Sequence, residues 1–218
     1  MTASDSLVIH EIYESIQGES TFAGLPCVFI RTTGCNLRCV WCDTPQAFHG
    51  GTRLTRPEII ARTLELGATL VELTGGEPLL QPGVFPLMTE LCERGLTVLV
   101  ETSGEADVSD VDSRVHKIMD LKCPASGESH RNRWSNLAHI SPADEIKFVL
   151  ADRADYEWMR ATIEERRLAS LTPNLLASTV FGRLAPKDLV KWVLEDKVRV
   201  RVQLQLHKHI WAADAVGV

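Results

Sequence analysis

Short apolar segments alternate with amphipathic segments along most of this chain, and this alternation limits the folds open to it. The apolar segments have the length of buried strands, and the amphipathic segments have the length of helices. We predict strands over residues 7–13, 26–32, 69–73, 96–101, 115–121, 146–150, 174–177 and 198–206, with helices over 55–66, 84–94, 156–167 and 186–196. Because such repetition is typical of parallel βα units, we predict an α/β domain.

The sequence also marks where some of these elements begin and end. Thr55 precedes an arginine, a proline and Glu58, an order that favours a threonine N-cap with a capping box. Gly67 then ends the helix. By contrast, residues 122–142 have little periodicity, so we expect a long loop of the kind that is often functional or mobile.

Length and charge set further bounds. The chain has 218 residues, of which 44% are hydrophobic, and its formal net charge is −6. We therefore expect a single domain, residues 1–218, that does not bind nucleic acid, since nucleic-acid binding needs a basic face. No apolar run is long enough to cross a bilayer, and the N-terminal stretch lacks the pattern of a signal peptide. We expect a cytoplasmic protein without a membrane partner.

Three cysteines, Cys35, Cys39 and Cys42, follow one another with the spacing C-x3-C-x2-C. Three thiolates leave one coordination position open, whereas a closed structural site takes four protein ligands. Crowded cysteine ligands are typical of iron–sulfur clusters. The alternative is a zinc site completed by His49, but zinc sites usually collect their ligands in two separated pairs. The other three cysteines, Cys27, Cys92 and Cys123, are interpreted as small apolar residues.

Several polar segments follow predicted strands directly. They are the cysteine loop, Thr74–Pro78, Glu101–Gly104, Asp120–Lys122 and His207. Parallel α/β domains carry their chemistry at the carboxyl ends of the strands. The sequence therefore predicts that these segments meet in one site.

The cysteine motif and the later segment Gly75-Gly76-Glu77-Pro78 together resemble the radical S-adenosylmethionine (radical SAM) superfamily. The resemblance implies a partial, TIM-like βα barrel, and 218 residues are fewer than the roughly 250 of a full eight-unit barrel. It also implies a 4Fe–4S cluster on the three cysteines, with S-adenosylmethionine (SAM) on the fourth iron.

Four further segments resemble the 7-carboxy-7-deazaguanine synthases within that superfamily. They are ESIQGE at 14–19, FIRTTGCNLRC at 29–39, WCDT at 41–44 and QLHK at 205–208. The resemblance implies a carbon–nitrogen lyase that converts 6-carboxy-5,6,7,8-tetrahydropterin to 7-carboxy-7-deazaguanine with release of ammonia. This reaction belongs to the biosynthesis of queuosine and related deazapurines.

The resemblance also assigns roles to individual residues, none of them as a catalytic acid or base. The expected SAM-binding residues are Trp41, Cys42, Asp43, Gly75, Gly76, Glu77, Ser103, Asp120, Leu121 and Lys122. The expected substrate-binding residues are Ile16, Gln17, Gly18, Arg31, Thr74 and His207. The expected metal ligands are Cys35, Cys39 and Cys42 for the cluster and Thr44 for Mg²⁺.

The resemblance implies a homodimer and an electron donor such as flavodoxin or ferredoxin. Two alternatives stay open from the residues alone: another radical SAM enzyme, such as a glycyl-radical activating enzyme, and a zinc-stabilised module without catalysis. Residues 178–181 replace a Gln-Pro segment with which some relatives contact SAM, and the tail at 211–218 differs from theirs. The roles of these two segments are left open.

Overall fold

The computed structural model describes residues 5–67, 69–212 and 215–218. Its strands are β1 (Ser6–Ile16), β2 (Pro26–Thr32), β3 (Thr52–Thr55), β4 (Leu70–Gly75), β5 (Thr97–Thr102), β6 (His116–Asp120), β7 (Glu145–Leu150), β8 (Leu175–Thr179) and β9 (Arg201–Gln203). Its α-helices are α1 (Arg56–Glu65), α2 (Val84–Glu93), α3 (Arg153–Glu165), α4 (Pro186–Asp196) and α5 (His207–Ile210).

All nine of these strands form one sheet in the order β3-β1-β2-β4-β5-β6-β7-β8-β9. Every pair from β2 to β9 is parallel, and β1 is antiparallel to both β2 and β3. The outermost strands, β3 and β9, leave the sheet unclosed. The prediction of a partial, TIM-like βα barrel is therefore confirmed.

The prediction of parallel βα units was wrong at the first strand. β1 pairs antiparallel with β2 and with β3, a strand that the sequence analysis missed. β3 has only four residues, of which Leu54 alone is buried, so no periodicity could reveal it. It is a strand because Leu54 pairs with Leu7 of β1.

Among the boundaries that differ from the prediction, two have a clear physical cause. Helix α3 begins at Arg153 instead of Tyr156, because the side chain of Asp152 caps it by accepting from the Asp155 amide. The last strand is limited to Arg201–Gln203. Lys197 adopts a left-handed backbone (φ 53°) at the end of α4, so the chain joins the sheet only at Arg201. The capping box of Thr55 and Glu58 is confirmed.

The segment 122–142 contains neither a strand nor an α-helix, as predicted, yet it is packed against the domain. Three short 3-10 turns shape it. The buried Asn136 side chain donates to the carbonyls of Ala106 (2.7 Å) and Gly104 (3.2 Å). Such bonds hold the segment against the end of β5.

The sheet has an outer face covered by helices and an inner face that surrounds a cavity. Two apolar cores lie under the helices, one beneath α1 and α2 and the other beneath α3 and α4. Inner-face residues alternate along each strand, as strand geometry requires. A small apolar layer on this face comprises Cys27, Phe29, Leu70, Leu99 and Ile118. The predictions that Cys27, Cys92 and Cys123 pack as apolar residues are confirmed.

Within the described residues, every helix is too short or too polar to span a lipid bilayer.

Candidate active site

A cavity of about 630 Å³ lies where the parallel strands end. This volume is in the range of small-molecule sites. Most of the predicted site residues line it: Ile16, Gln17, Gly18, Arg31, Cys35, Cys39, Trp41, Cys42, Asp43, Thr44, Thr74, Gly75, Gly76, Ser103, Asp120, Lys122 and His207. The predicted meeting of these segments at one site is thus confirmed, while their roles toward ligands stay predictions.

The three motif cysteines are half-buried on one loop, and all three face the cavity. The amide of Cys42 donates to the carbonyl of Cys39 (3.2 Å), and the amide of Val40 donates to Ser126 in the neighbouring segment (3.1 Å). Burial raises the pKa of the Cys35 thiol, and it raises that of Cys39 to about 11. A metal that binds these sulfurs must therefore displace protons.

The arrangement fits a cluster better than a single ion. His49, which would complete a zinc site, is exposed and does not line the cavity. Among residues 5–67, 69–212 and 215–218, no three His, Cys, Asp or Glu side chains converge on one metal position. A four-iron cluster takes each thiolate on a different iron, so its ligands need not converge. The donor set of three cavity-facing thiols therefore fits a 4Fe–4S cluster.

The Gly75-Gly76 turn packs directly on the cysteine loop. Gly75 has a positive φ of 141°, and a Cβ there would lie 2.3 Å from the carbonyl oxygen of Thr32. A Cβ on Gly76 would lie 2.3 Å from the carbonyl oxygen of Gly34 and 2.7 Å from the Cβ of Cys35. Only glycine permits this approach, so the turn and the cysteines are fixed relative to each other.

Glu77 does not line the cavity, although a direct SAM contact was predicted for it. Its side chain is fully buried, and its carboxylate accepts from the amide (2.7 Å) and hydroxyl (2.6 Å) of Ser103. The Thr102 hydroxyl (2.9 Å) and the Leu79 amide (3.1 Å) also donate to it. These hydrogen bonds hold the Glu77 carboxylate inside the protein. The carboxylate in turn fixes Ser103 at the cavity wall.

Leu121 also lies away from the cavity, because its side chain belongs to the core beneath α3 and α4. Its neighbours Asp120 and Lys122 face the cavity and form an ion pair of 2.7 Å. Burial alone would lower the pKa of Lys122, but Asp120 and Cys39 raise it above its ordinary value. The other carboxylate oxygen of Asp120, Oδ1, is buried without a protein partner among the described residues and can accept from a ligand.

A buried polar network that the sequence analysis missed forms another wall. Lys147 contacts Glu101 and lies 3.0 Å from Glu19, while the side-chain amide of Gln17 donates to Glu72. Burial and then the Glu101 carboxylate raise the pKa of Glu72 well above its ordinary range, which favours its protonated form. Burial would lower the pKa of Lys147, but Glu101 and Glu19 raise it, so this lysine is charged.

A sequence signal for this network exists. Glu72, Glu101 and Lys147 each interrupt an otherwise apolar strand at an inner-face position. Charged residues are rarely buried without a partner, and three such residues on the same face of one sheet indicate that the side chains meet.

Arg31 and His207 are held in defined positions. The guanidinium of Arg31 donates to Glu11 (2.7 Å) and to the hydroxyl of Tyr13 (2.9 Å). His207 lies so close to Gly18 that a Cβ there would be 2.7 Å from its Nδ1. Burial lowers the pKa of His207, so the ring is neutral at pH 7.

Thr44 precedes a short 3-10 helix (Pro45–Phe48), but its side chain does not cap that helix. Its hydroxyl lies 4.0 Å from Cys42 Sγ and faces the cavity. The hydroxyl is therefore available to a ligand or metal ion.

The two segments left open by the sequence both reach the cavity. Val180 and Phe181 line it, and so do residues 215–218 of the tail. Ser178 does not line it, and its buried hydroxyl has no protein partner among the described residues.

Comparisons with known proteins agree with this geometry. The model of the radical SAM superfamily matches residues 29–172. The 7-carboxy-7-deazaguanine synthase of Koribacter versatilis (strain Ellin345) is 46% identical over 224 residues, which cover 96% of this chain and 99% of the relative. The enzyme of the same name from Chlorobaculum tepidum is 47% identical over 221 residues, covering 100% of both chains.

Solved structures show the same fold at lower identity. The crystal structure of QueE from Escherichia coli matches with a TM-score of 0.73 and 22% identity, covering 91% of this chain and 94% of that one. The structure of TYW1 with a lysine-pyruvate adduct matches with a TM-score of 0.55 and 13% identity, covering 78% and 72%.

Proposed function

This chain belongs to the radical SAM superfamily and, within it, to the 7-carboxy-7-deazaguanine synthases, and we propose that its cavity contracts the ring of 6-carboxy-5,6,7,8-tetrahydropterin. The observation that carries the proposal is one cavity that joins three cysteine thiols, a glycine turn and a set of polar side chains suited to a small molecule. The product is 7-carboxy-7-deazaguanine, and ammonia is released.

Cys35, Cys39 and Cys42 would hold the 4Fe–4S cluster in this proposal, and SAM would bind beside it. When bound, the cluster and SAM would supply the electron and the radical that removes a hydrogen atom from the substrate and returns it after ring contraction, so that SAM is re-formed. Gly75 and Gly76 bring exposed backbone next to the cluster loop, which suits the amino group of SAM. Asp120 Oδ1 offers a further acceptor. Trp41 and Phe181 add aromatic surface for the adenine ring.

The substrate side of the cavity carries a positive charge at Arg31 and a negative charge at Glu101. Arg31 suits the substrate carboxylate, because a guanidinium fork matches two carboxylate oxygens. The Glu101 carboxylate faces the cavity and suits the N–H groups of a pterin ring, and Gln17 lines the same wall. Thr74 and neutral His207 complete this wall. The protein thus binds and orients both ends of the substrate, and we assign no side chain as an acid or base.

Thr44 would hold Mg²⁺ in this proposal, and the ion would help to bind and orient the substrate carboxylate. Mg²⁺ commonly takes few protein ligands and completes its shell with substrate and water. The Thr44 hydroxyl supports this role because it faces the cavity and does not cap the following helix.

Further aspects rest on the resemblance and on the fold. We propose a single domain over residues 1–218, which the continuous sheet supports. A flavodoxin or ferredoxin is the proposed electron donor, and exposed Arg38 and Val40 on the cysteine loop leave room for its approach. A homodimer is the proposed assembly. The six unpaired cysteines support a cytoplasmic location, where thiols stay reduced.

The competing radical SAM activity, activation of a glycyl-radical enzyme, needs a protein substrate. The test is incubation of the reconstituted, reduced protein with SAM and the carboxypterin, followed by mass and ultraviolet spectra of the products. We expect 7-carboxy-7-deazaguanine. Its absence from protein with a complete cluster would reject the proposed substrate.

A further inference from the structure

The loop between β1 and β2, residues 17–25, reaches across the opening of the sheet to strands at its other end. Hydrogen bonds between Gln17 and Leu25 (2.8 Å) and between Gly24 and Gln17 (2.8 Å) close its base. Gln17, Gly18 and Glu19 line the cavity. The conformation of this loop therefore sets one end of the proposed substrate site.

Strand β7 holds the middle of the loop through Glu145. The Glu145 carboxylate accepts from the amide (2.9 Å) and the hydroxyl (2.5 Å) of Thr21, and it lies 2.8 Å from His116 Nε2. Its side chain has no exposed surface, and it does not line the cavity. Glu145 thus acts on the loop and has no access to a bound substrate.

Neighbouring contacts hold the same loop from both sides. His116 packs edge-on against Phe22, with ring centroids 5.0 Å apart. The Gln203 side chain of β9 binds both the amide and the carbonyl of Ser20 at 3.1 Å. Ser20 has a positive φ of 64°, a strained conformation for a residue other than glycine, so these bonds compensate for an unfavourable backbone.

Lys147 lies two residues beyond Glu145 on the same face of β7 and binds Glu19 (3.0 Å). One strand therefore fixes the loop at two alternate positions, Thr21 and Glu19. We propose that Glu145 is a positioning residue: it sets the place of Gln17, Gly18 and Glu19 through Thr21. This inference rests on the proposed function for its substrate, and it concerns binding of the pterin, not the cluster or SAM.

The test uses the full-length, cluster-loaded protein with Glu145→Gln, Thr21→Val and the double variant. We expect Glu145→Gln to raise the KM for the carboxypterin about tenfold, because an amide replaces one oxygen of a buried acceptor. The kcat at saturation and the slow SAM cleavage without substrate should stay within about twofold of the wild type. Because the Thr21 hydroxyl acts through Glu145, the double variant should resemble Glu145→Gln alone.

Hydrogen exchange without substrate gives a second readout. Exchange of amides in residues 18–23 should rise in Glu145→Gln and Thr21→Val, while exchange in α1 and α2 stays unchanged. Glu90→Gln is the matched control, because Glu90 pairs with Arg56 on the helical side of the domain. It should leave both KM and loop exchange unchanged.

A KM and loop exchange equal to those of the wild type in Thr21→Val and Glu145→Gln would overturn the inference. A fall in kcat with an unchanged KM would overturn it too. If Glu145→Gln does not fold, Thr21→Val alone decides, since it keeps the side-chain shape and removes only the hydroxyl donor. Wild-type protein that makes no deazaguanine would count against the proposed function, whereas the exchange readout tests the anchoring by itself.

Discussion

The ammonium group of Lys147 lies 3.0 Å from Oε2 of Glu19, although 128 positions separate the two residues in sequence. Lys147 also contacts Glu101, and only 4% of its side chain is exposed. One lysine therefore pairs with two carboxylates from different parts of the chain at the cavity wall.

Replacing Lys147 with methionine should destabilise the protein and weaken substrate binding. The change leaves Glu19 and Glu101 without their cation, and loss of one partner from a buried ion pair costs about 3–5 kcal/mol. Denaturant unfolding and the KM for the carboxypterin measure the two effects. Lys191→Met is the control, because Lys191 is exposed and lies 3.8 Å from Glu195. Equal free energies of unfolding for the two variants would contradict this account.

The stability of the Glu72→Gln variant relative to the wild type should increase as the pH rises. The raised pKa means that folded Glu72 keeps its proton above pH 4.3, roughly where an unfolded glutamate loses it. The folded state then binds more protons than the unfolded state, so the contribution of Glu72 to stability falls with increasing pH. Glutamine mimics the protonated form and does not titrate.

Melting temperatures at pH 5 and pH 8 check this prediction. The difference between Glu72→Gln and the wild type should be more positive at pH 8 than at pH 5. Glu65→Gln, at an exposed position of α1, serves as the control. A difference for Glu72→Gln that is the same at both pH values would show that Glu72 is ionised in the folded protein.

Local patterns predicted much of this fold. Apolar strands, the capping box at Thr55 and the positive-φ glycine at Gly67 depend on neighbouring residues only, and the structure confirms them. β3 could not be predicted, because its four residues become a strand only through pairing with β1. The antiparallel direction of β1 likewise depends on long-range pairing and leaves no local signal.

In the candidate site, too, features with a local sequence pattern could be predicted, and features that depend on distant residues could not. The cysteine motif and the glycine turn could be found because short, fixed spacings carry their chemistry. Glu77 was expected at SAM, but its partners Thr102 and Ser103 come from the next strand, and sequence spacing does not reveal where a carboxylate points. The network around Lys147 was missed because its members are far apart in sequence.

Gly76→Ala should impair assembly of the cluster. The added Cβ would lie 2.3 Å from the Gly34 carbonyl oxygen and 2.7 Å from the Cβ of Cys35, so the cysteine loop must move. Iron and sulfide content after anaerobic reconstitution measures the loss. Gly182→Ala is the control: it has a positive φ of 75° but open space around it. It should cost about 1 kcal/mol of stability and leave the cluster complete.

If Gly76→Ala binds a full complement of iron and sulfide, the tight packing of the turn on the loop is not needed for the cluster.

The Thr44→Ala variant should keep the cluster, but its rate of product formation should no longer depend on magnesium. The hydroxyl is the proposed Mg²⁺ ligand, whereas the three thiols are unchanged. Product formation with and without Mg²⁺ measures the effect, and Thr44→Ser, which retains a hydroxyl, should behave as the wild type. Activity of Thr44→Ala that matches the wild type and still responds to Mg²⁺ would reject the role of Thr44.

A count of products from reduced, cluster-loaded protein with excess carboxypterin and limiting SAM tests the proposed substrate directly. We expect one ammonia for each 7-carboxy-7-deazaguanine, more product than SAM supplied, and no product from Cys39→Ala. SAM consumption without any deazaguanine would contradict the claim that this cavity is a carboxypterin site.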